Sequence, residues 1–161
     1  EDPEHRAPVW KAMEHCLEQG WVKAIGVSNY GAAHLEAMKT YATYMPAVNQ
    51  VEFNPWLQRP QLKKATEAIG AKVMAYSPLA RGHKVDDPEL GAIAERLDAT
   101  PAQVAIKFCY DEGCITIPKS SNPSRIIENL ASLSVDISSE MDAIRALECD
   151  YISGWDPTTE P

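Results

Sequence analysis

The sequence predicts an α/β protein with four parallel strands and surrounding helices, and three observations predict it. Short runs rich in β-branched residues alternate with amphipathic segments of helix length along the chain. Strands separated in this way are joined by crossovers, the connection that parallel pairing requires. Polar residues also collect at the carboxyl end of each run: Ser28-Asn29, Gln50 to Asn54, Tyr76-Ser77 and Lys119-Ser120. Parallel α/β folds bind ligands at that end.

Each element has a local reason. Ala7 to Gln19 reads as a helix with Pro8 near its start, an apolar stripe of Val9, Met13, Cys16 and Leu17, and Gly20 as its stop. Val22 to Val27 reads as a strand. Gly31 to about Tyr44 reads as a helix with Leu35, Met38 and Tyr41 on one face, ended by Pro46. Ala47 to Phe53 is the second strand. Asn49 and Gln50 are unusual within it, and imply either a polar interior site or a solvated strand end. Arg59-Pro60 opens a helix to Ile69 with Leu62, Ala65 and Ile69 inward, and Gly70 ends it. Lys72 to Tyr76 is the third strand. Asp87-Pro88 starts a helix carrying Leu90, Ile93, Ala94 and Leu97. Thr100-Pro101-Ala102-Gln103 is a capping box with proline at the first helical position, and its helix runs to about Glu112, before Gly113. Ile115 to Ile117 is a buried fourth strand. Asn122 and Pro123 open a helix with Ile126, Ile127, Leu130 and Leu133 on one face. Ser138 or Ser139 caps a last helix bearing Met141, Ile144 and Leu147, ahead of a polar tail from Asp150 to Pro161.

A chain of 161 residues builds one domain with a real core. A net charge of −8 argues against general binding of nucleic acid or anionic membranes, while leaving room for one local basic pocket. No apolar run approaches the roughly 20 residues of a membrane span, and no signal peptide is visible. The expectation is a cytoplasmic protein. The first residue is Glu1, not Met, which suggests a fragment, a processed product or a trimmed chain. Cys16, Cys109, Cys114 and Cys149 form no Cys-x-x-Cys pair, and His5, His15, His34 and His83 are scattered. The expectation is thiols in a reducing compartment and no zinc site.

The stretch from Ile115 to Asn129 is the most informative. It reads as a strand, a polar turn and a helix N-terminus, where free N–H groups and the helix dipole favour an anion. Lys119, Ser120, Ser121 and Arg125 gather there. A cation, two hydroxyls, a helix start and a guanidinium suit a phosphate monoester. Glu128 and Asn129, one turn on, have the groups to read a purine edge. A solvated loop before a capped helix fits the turn too, and the agreement of four strand ends favours binding. The chain contains no Gly-x-Gly-x-x-Gly and no Gly-x-x-x-x-Gly-Lys-Ser/Thr.

Four motifs in order resemble the aldo-keto reductase family: Ile25-Gly26-Val27-Ser28-Asn29-Tyr30, Asn49-Gln50-Val51-Glu52-Phe53-Asn54-Pro55, Ala75-Tyr76-Ser77-Pro78-Leu79, and Ile117-Pro118-Lys119-Ser120 continuing to Arg125-Ile126-Ile127-Glu128-Asn129. The resemblance covers Ala7 to about Leu147. It implies the second half of a (β/α)8 TIM-type barrel, so that residues 1–161 form the C-terminal half without the catalytic first half. It implies NADP(H) as cofactor and reduction of a small carbonyl compound by hydride transfer. Carried over motif by motif, Ser28, Asn29 and Gln50 hydrogen-bond the nicotinamide carboxamide, and Tyr76 stacks on the ring. Ser77 and Leu79 approach the pyrophosphate, Lys119, Ser120 and Arg125 hold the 2′-phosphate, and Glu128 and Asn129 take the adenine.

There are departures. Ala80 stands where the family often has Gly, and the loop from Arg81 to Asp86 is short, which implies a reduced closing loop. The family's Tyr, Lys, Asp and His come from the first half, and no matching motif exists here. Tyr30, Tyr41, Tyr44, Tyr110 and Tyr151 show no Lys–Asp context in the sequence, so no catalytic acid is nominated. Half a barrel leaves two open strand edges. The chain is therefore expected to be a fragment, to pair with a separate first half, or to close on a second copy. Two other readings are a non-catalytic NADP(H)-binding half-barrel, either regulatory or a remnant, and a barrel aldolase with Lys119 as Schiff base, in which Arg125, Glu128 and Asn129 have no role. Trp56 and Trp155 line a pocket or pack on an exposed edge.

Overall fold

The computed structural model describes residues 3–159, and side chains from His5 onward. Residues 160–161 of the expected tail lie outside that range. The helices are α1 (Pro3–Glu18), α2 (Ala32–Met38), α3 (Pro60–Ala68), α4 (Pro88–Arg96), α5 (Pro101–Asp111), α6 (Pro123–Ala131) and α7 (Met141–Arg145). The strands are β1 (Val27–Ser28), β2 (Val48–Glu52), β3 (Lys72–Tyr76) and β4 (Ile115–Thr116), ordered β1-β2-β3-β4 in one sheet. β1 lies parallel to β2 with Val27 opposite Asn49 and Ser28 opposite Gln50. β3 lies parallel to β4 with Met74 opposite Ile115 and Ala75 opposite Thr116. The predicted α/β class with four parallel strands is the one observed. The chain divides into two compact units.

The first unit comprises Glu1–Val51, Pro60–Val73 and Asp156–Pro161. Its helix α1 begins at Pro3, four residues before the expected start, and carries Pro8 inside it. The expected stripe is turned by one residue. Val9 is 63% exposed, whereas Trp10 and Glu14 are buried. The reason is long-range: Trp10 Nε1 donates to the Tyr44 carbonyl at 3.1 Å, and Glu14 Oε1 accepts from the amides of Thr43 (2.5 Å) and Tyr44 (2.9 Å). Burial alone raises the Glu14 pKa. The Lys11 ammonium at 2.8 Å and the two amides outweigh it and hold the carboxyl below its ordinary value. The same contact shortens α2, which ends at Met38 and not near Tyr44, because Glu14 takes the Thr43 and Tyr44 donors. The expected strand Val22–Val27 is confined to Val27–Ser28, and Trp21 and Val22 are exposed. Asn49 is fully buried and paired: Oδ1 accepts from the Tyr30 amide, and Nδ2 donates to the Tyr30 carbonyl (2.8 Å) and Thr66 Oγ1 (3.3 Å). Of the two readings for Asn49, the polar interior is correct.

The second unit comprises Glu52–Arg59 and Met74–Trp155. Phe53 stacks on Phe108 at 6.3 Å, and Leu90, Ile93, Val104, Ile137 and Ile144 are also buried in this unit. α4 and α5 begin as the sequence predicts: Asp87 Oδ1 accepts from the Glu89 and Leu90 amides, and Thr100 and Gln103 form the capping box. The last helix differs. Ser138 and Ser139 lie in a short 3-10 turn, and the Asp136 carboxylate accepts from the Ser138 amide. That bond holds the Asp136 pKa below its ordinary value. The expected burial of the fourth strand and of the following helix face is also corrected. Ile115, Ile117, Ile126, Ile127, Leu130 and Leu133 are all exposed, Ile127 and Leu130 by 71% and 70%. Among the described residues, no helix is long and apolar enough to cross a membrane, and no cluster of ligands could hold a metal ion.

Candidate functional site

The turn after β4 is fixed by its own side chains. Ser120 Oγ accepts from the Asn122 amide at 3.1 Å, and Asn122 Oδ1 caps α6 by accepting from the Ser124 amide at 2.9 Å. Pro123 holds the first helical position. Arg125 lies on the first turn of α6, beside the start where N–H groups point outward. Lys119 and Arg125 are both exposed, and among the described residues neither has an ion-pair partner.

A cleft of about 940 Å³ brings most of the sequence-predicted residues of this unit together. Tyr76, Ser77, Leu79, Lys119, Ser120, Arg125, Glu128 and Asn129 all line it. Ser121 is exposed on the same turn, outside the lining residues. The wall is apolar at Pro78, Val85, Ala102, Ile117 and Pro118, and carries the cations Arg81, Lys119 and Arg125. That donor set fits a dinucleotide phosphate: two cations and a helix start for a phosphate, and flat apolar surface for the rings.

The cleft walls are set by β3 and its exit. Phe53 N donates to the Tyr76 carbonyl, and Asn54 Nδ2 to the Ser77 carbonyl, both at 3.3 Å. Ser77 has φ of 49°, and Ala80, Arg81 and Gly82 follow with φ of 45°, 55° and 87°. Non-glycine residues in that region are strained and cluster at functional sites. Glu128 is positioned by a residue that sequence reasoning read only as a cap: Thr100 Oγ1 donates to Glu128 Oε1 at 2.7 Å. Arg81, Thr100 and Val85 were missed as lining residues. Only the closeness of Arg81 to the Tyr76–Leu79 motif signalled one of them.

The remaining predicted residues lie in the first unit and gather there at the carboxyl ends of β1 and β2. Ser28 Oγ and the Asn29 amide both donate to the Gln50 carbonyl, at 3.0 and 2.8 Å, and Asn29 has φ of 59°.

The tyrosines need one correction. Tyr151 has a lysine neighbour that the sequence did not reveal, and that lysine in turn reaches an aspartate. Lys84 Nζ lies 4.9 Å from the Tyr151 ring centre and 3.9 Å from Asp87 Oδ2, and His83 Nδ1 is 3.1 Å from the hydroxyl. Lys84 covers the ring face, and Tyr151 stands outside the residues that line the cleft. The Tyr41 hydroxyl pKa is pushed up to about 12, by burial first and then by Tyr30. Trp56 is buried, and Trp155 is 67% exposed.

The chain is similar to known proteins in sequence and in fold. Residues 1–148 match the family model described as Aldo/keto reductase family. The chain is 43% identical over 141 residues to aldose reductase B of Dictyostelium discoideum, covering 86% of this chain and 45% of that protein. It is 40% identical over 149 residues to glyoxal reductase of Bacillus subtilis, covering 92% and 54%. A crystal structure of an aldo-keto reductase complexed with NADPH superposes with a TM-score of 0.82 at 28% identity, covering 91% of this chain and 48% of that one. The chain thus spans about half the length of these proteins.

Proposed function

The chain belongs to the aldo/keto reductase family, and from that membership we propose that it carries the NADP(H)-binding half of a reductase acting on a small carbonyl compound. One observation carries the reading: Lys119 and Arg125, without ion-pair partners among the described residues, stand at the capped start of α6 in the large cleft. Lys119, Ser120 and Arg125 would hold a 2′-phosphate through charge-assisted hydrogen bonds, with Ser121 on the same turn. Glu128 and Asn129 would take the adenine, Ser77 and Leu79 the pyrophosphate, and Tyr76 the nicotinamide face. Ser28, Asn29 and Gln50 are assigned to the carboxamide by family resemblance. When bound, the cofactor supplies hydride; the residues of this chain bind and orient it.

The test is a titration of the 161-residue chain with NADPH and NADH, read by tryptophan fluorescence. Saturable binding is expected, with NADPH at least about tenfold tighter, the scale of one hydrogen bond to a charged group. Equal affinities contradict the 2′-phosphate assignment.

A second reading rests on the uncovered apolar residues of β4 and α6. The chain is a non-catalytic NADP(H)-binding half on its own, closing on a second copy or becoming a reductase only when a separate first half completes it. Glyoxal, from the name of the Bacillus subtilis relative, is a suitable probe. The isolated chain is expected to bind NADPH and leave glyoxal unreduced. Turnover by the chain alone contradicts this reading.

A further inference from the structure

We infer that Thr100 is a positioning residue for base selection: its hydroxyl holds the Glu128 carboxylate where it accepts from a 6-amino purine and turns away a 6-oxo purine. The base half of the inference rests on the NADP(H) reading above.

Thr100 is the N-cap of α5, and that duty fixes which way its hydroxyl points. Thr100 Oγ1 accepts from the Gln103 amide at 3.2 Å. A hydroxyl has one hydrogen and two lone pairs. With a lone pair committed to the cap, the hydrogen goes to Glu128 Oε1, 2.7 Å away on α6. The cap is itself locked, because Gln103 Oε1 accepts from the Thr100 amide at 3.0 Å. The carboxylate is thus tied to the start of a neighbouring helix.

The tie decides between two places for Glu128. Arg125 lies one turn before it on α6, and opposite charges at that spacing attract one another along a helix surface. Among the described residues the two form no ion pair. Held by Thr100, Glu128 is half-buried on the side of α5, and Arg125 keeps its guanidinium for a phosphate. Thr100, Glu128 and Asn129 line the same cleft, together with the apolar Pro101 and Ala102.

Of the two side chains assigned to the base, only Glu128 discriminates. Asn129 carries an amide, which turns over to offer either its oxygen or its NH2. A carboxylate only accepts. It accepts from the exocyclic amine of adenine, and it meets the 6-oxo group of hypoxanthine as a second acceptor with no hydrogen between them. With Oε1 occupied by Thr100, Oε2 is the atom left for the base. A Glu128 freed from Thr100 would swing to accept from the N1–H of hypoxanthine instead. It would also have to be ordered on binding, which lowers affinity about two- to tenfold for one long side chain.

The experiment measures, on the full chain by tryptophan fluorescence, the dissociation constant of reduced nicotinamide hypoxanthine dinucleotide phosphate relative to that of NADPH. In the wild type this ratio is expected to be about ten or more, the scale of one hydrogen bond to a charged group. Thr100→Gly and Thr100→Asp both lack the hydroxyl, and both residues serve as N-caps, so α5 keeps its start. In each the ratio should fall about two- to tenfold, with little change in thermal unfolding. Thr100→Ser keeps the hydroxyl and should keep the ratio. In Glu128→Ala the ratio falls, and adding Thr100→Gly should lower it no further, because Thr100 acts through Glu128. Without nucleotide, a urea-unfolding cycle of Thr100→Gly and Glu128→Ala should show coupling, a factor of about two- to tenfold in the unfolding constant. Equal affinities in the wild type, or a ratio that both hydroxyl-free variants leave unchanged, overturns base selection by this pair. A further fall in the double variant overturns the route through Glu128. An uncoupled pair overturns the hold itself. A wild type that binds neither nucleotide, beside a coupled pair, overturns the NADP(H) reading and base selection with it, and leaves the hold on Glu128 standing.

Discussion

Glu14 is a carboxylate in the middle of a helix, buried, and used as the acceptor for a turn nearly thirty residues away. Replacing it by Gln removes the charge from three hydrogen bonds, and Glu14→Gln is expected to destabilise the chain by about 1–2 kcal/mol in urea at neutral pH. Because its folded pKa is depressed, its stabilisation is fully present above the unfolded carboxylate value, and is lost as pH falls through the folded one. The gap between wild type and variant should therefore narrow on acidification to about pH 4 and below. A gap that stays constant contradicts the assignment. Asn49 makes the related point about what a sequence shows. Its oddness inside a strand was visible, but its partners, Tyr30 and Thr66, are contacts across space that no spacing rule predicts.

Elements whose signals are local were legible. β3 falls on Lys72–Tyr76 as predicted, and α4 and α5 start at Asp87 and Thr100 because capping chemistry is written within four residues. The end of α4 offers a test of such chemistry. Asp98 follows the C-cap with φ of 51°, and the Ala99 amide closes back on the Ala94 carbonyl. Glycine takes that conformation without a Cβ penalty, so Asp98→Gly should raise stability by about 0.5–1 kcal/mol in thermal or urea unfolding. A loss of stability would show that the aspartate side chain contributes a contact of its own. Elements set by distant contacts were misjudged. α1 turned by one residue to bury Trp10 and Glu14, α2 lost its last turn to the same carboxylate, and Val22–Val27 is strand only at its end. The cleft residues were legible for a different reason: a helix N-cap, a flanking cation and a guanidinium lie within seven residues of one another. Thr100 and Arg81 were not, because they reach the cleft from other elements.

For the molecule as a whole, the apolar face of α6 is the feature the helical period predicts and the structure leaves uncovered. Exposed apolar surface of this kind marks an interaction site or an aggregation liability. Sedimentation velocity is expected to show association of the 161-residue chain, reduced in Ile127→Glu and Leu130→Glu. A stable monomer over a wide concentration range contradicts this. Membership of the aldo/keto reductase family is independent of that outcome, and the chain spans about half of its relatives. The central claim is narrower: the phosphate end of the cleft, at the start of α6, recognises the 2′-phosphate of NADP(H). The most direct test is the ratio of NADH to NADPH dissociation constants in the wild type, Lys119→Ala and Arg125→Ala. Each substitution should reduce the ratio about tenfold or more by weakening NADPH alone. A ratio unchanged in both variants, or equal weakening of the two nucleotides, would contradict it.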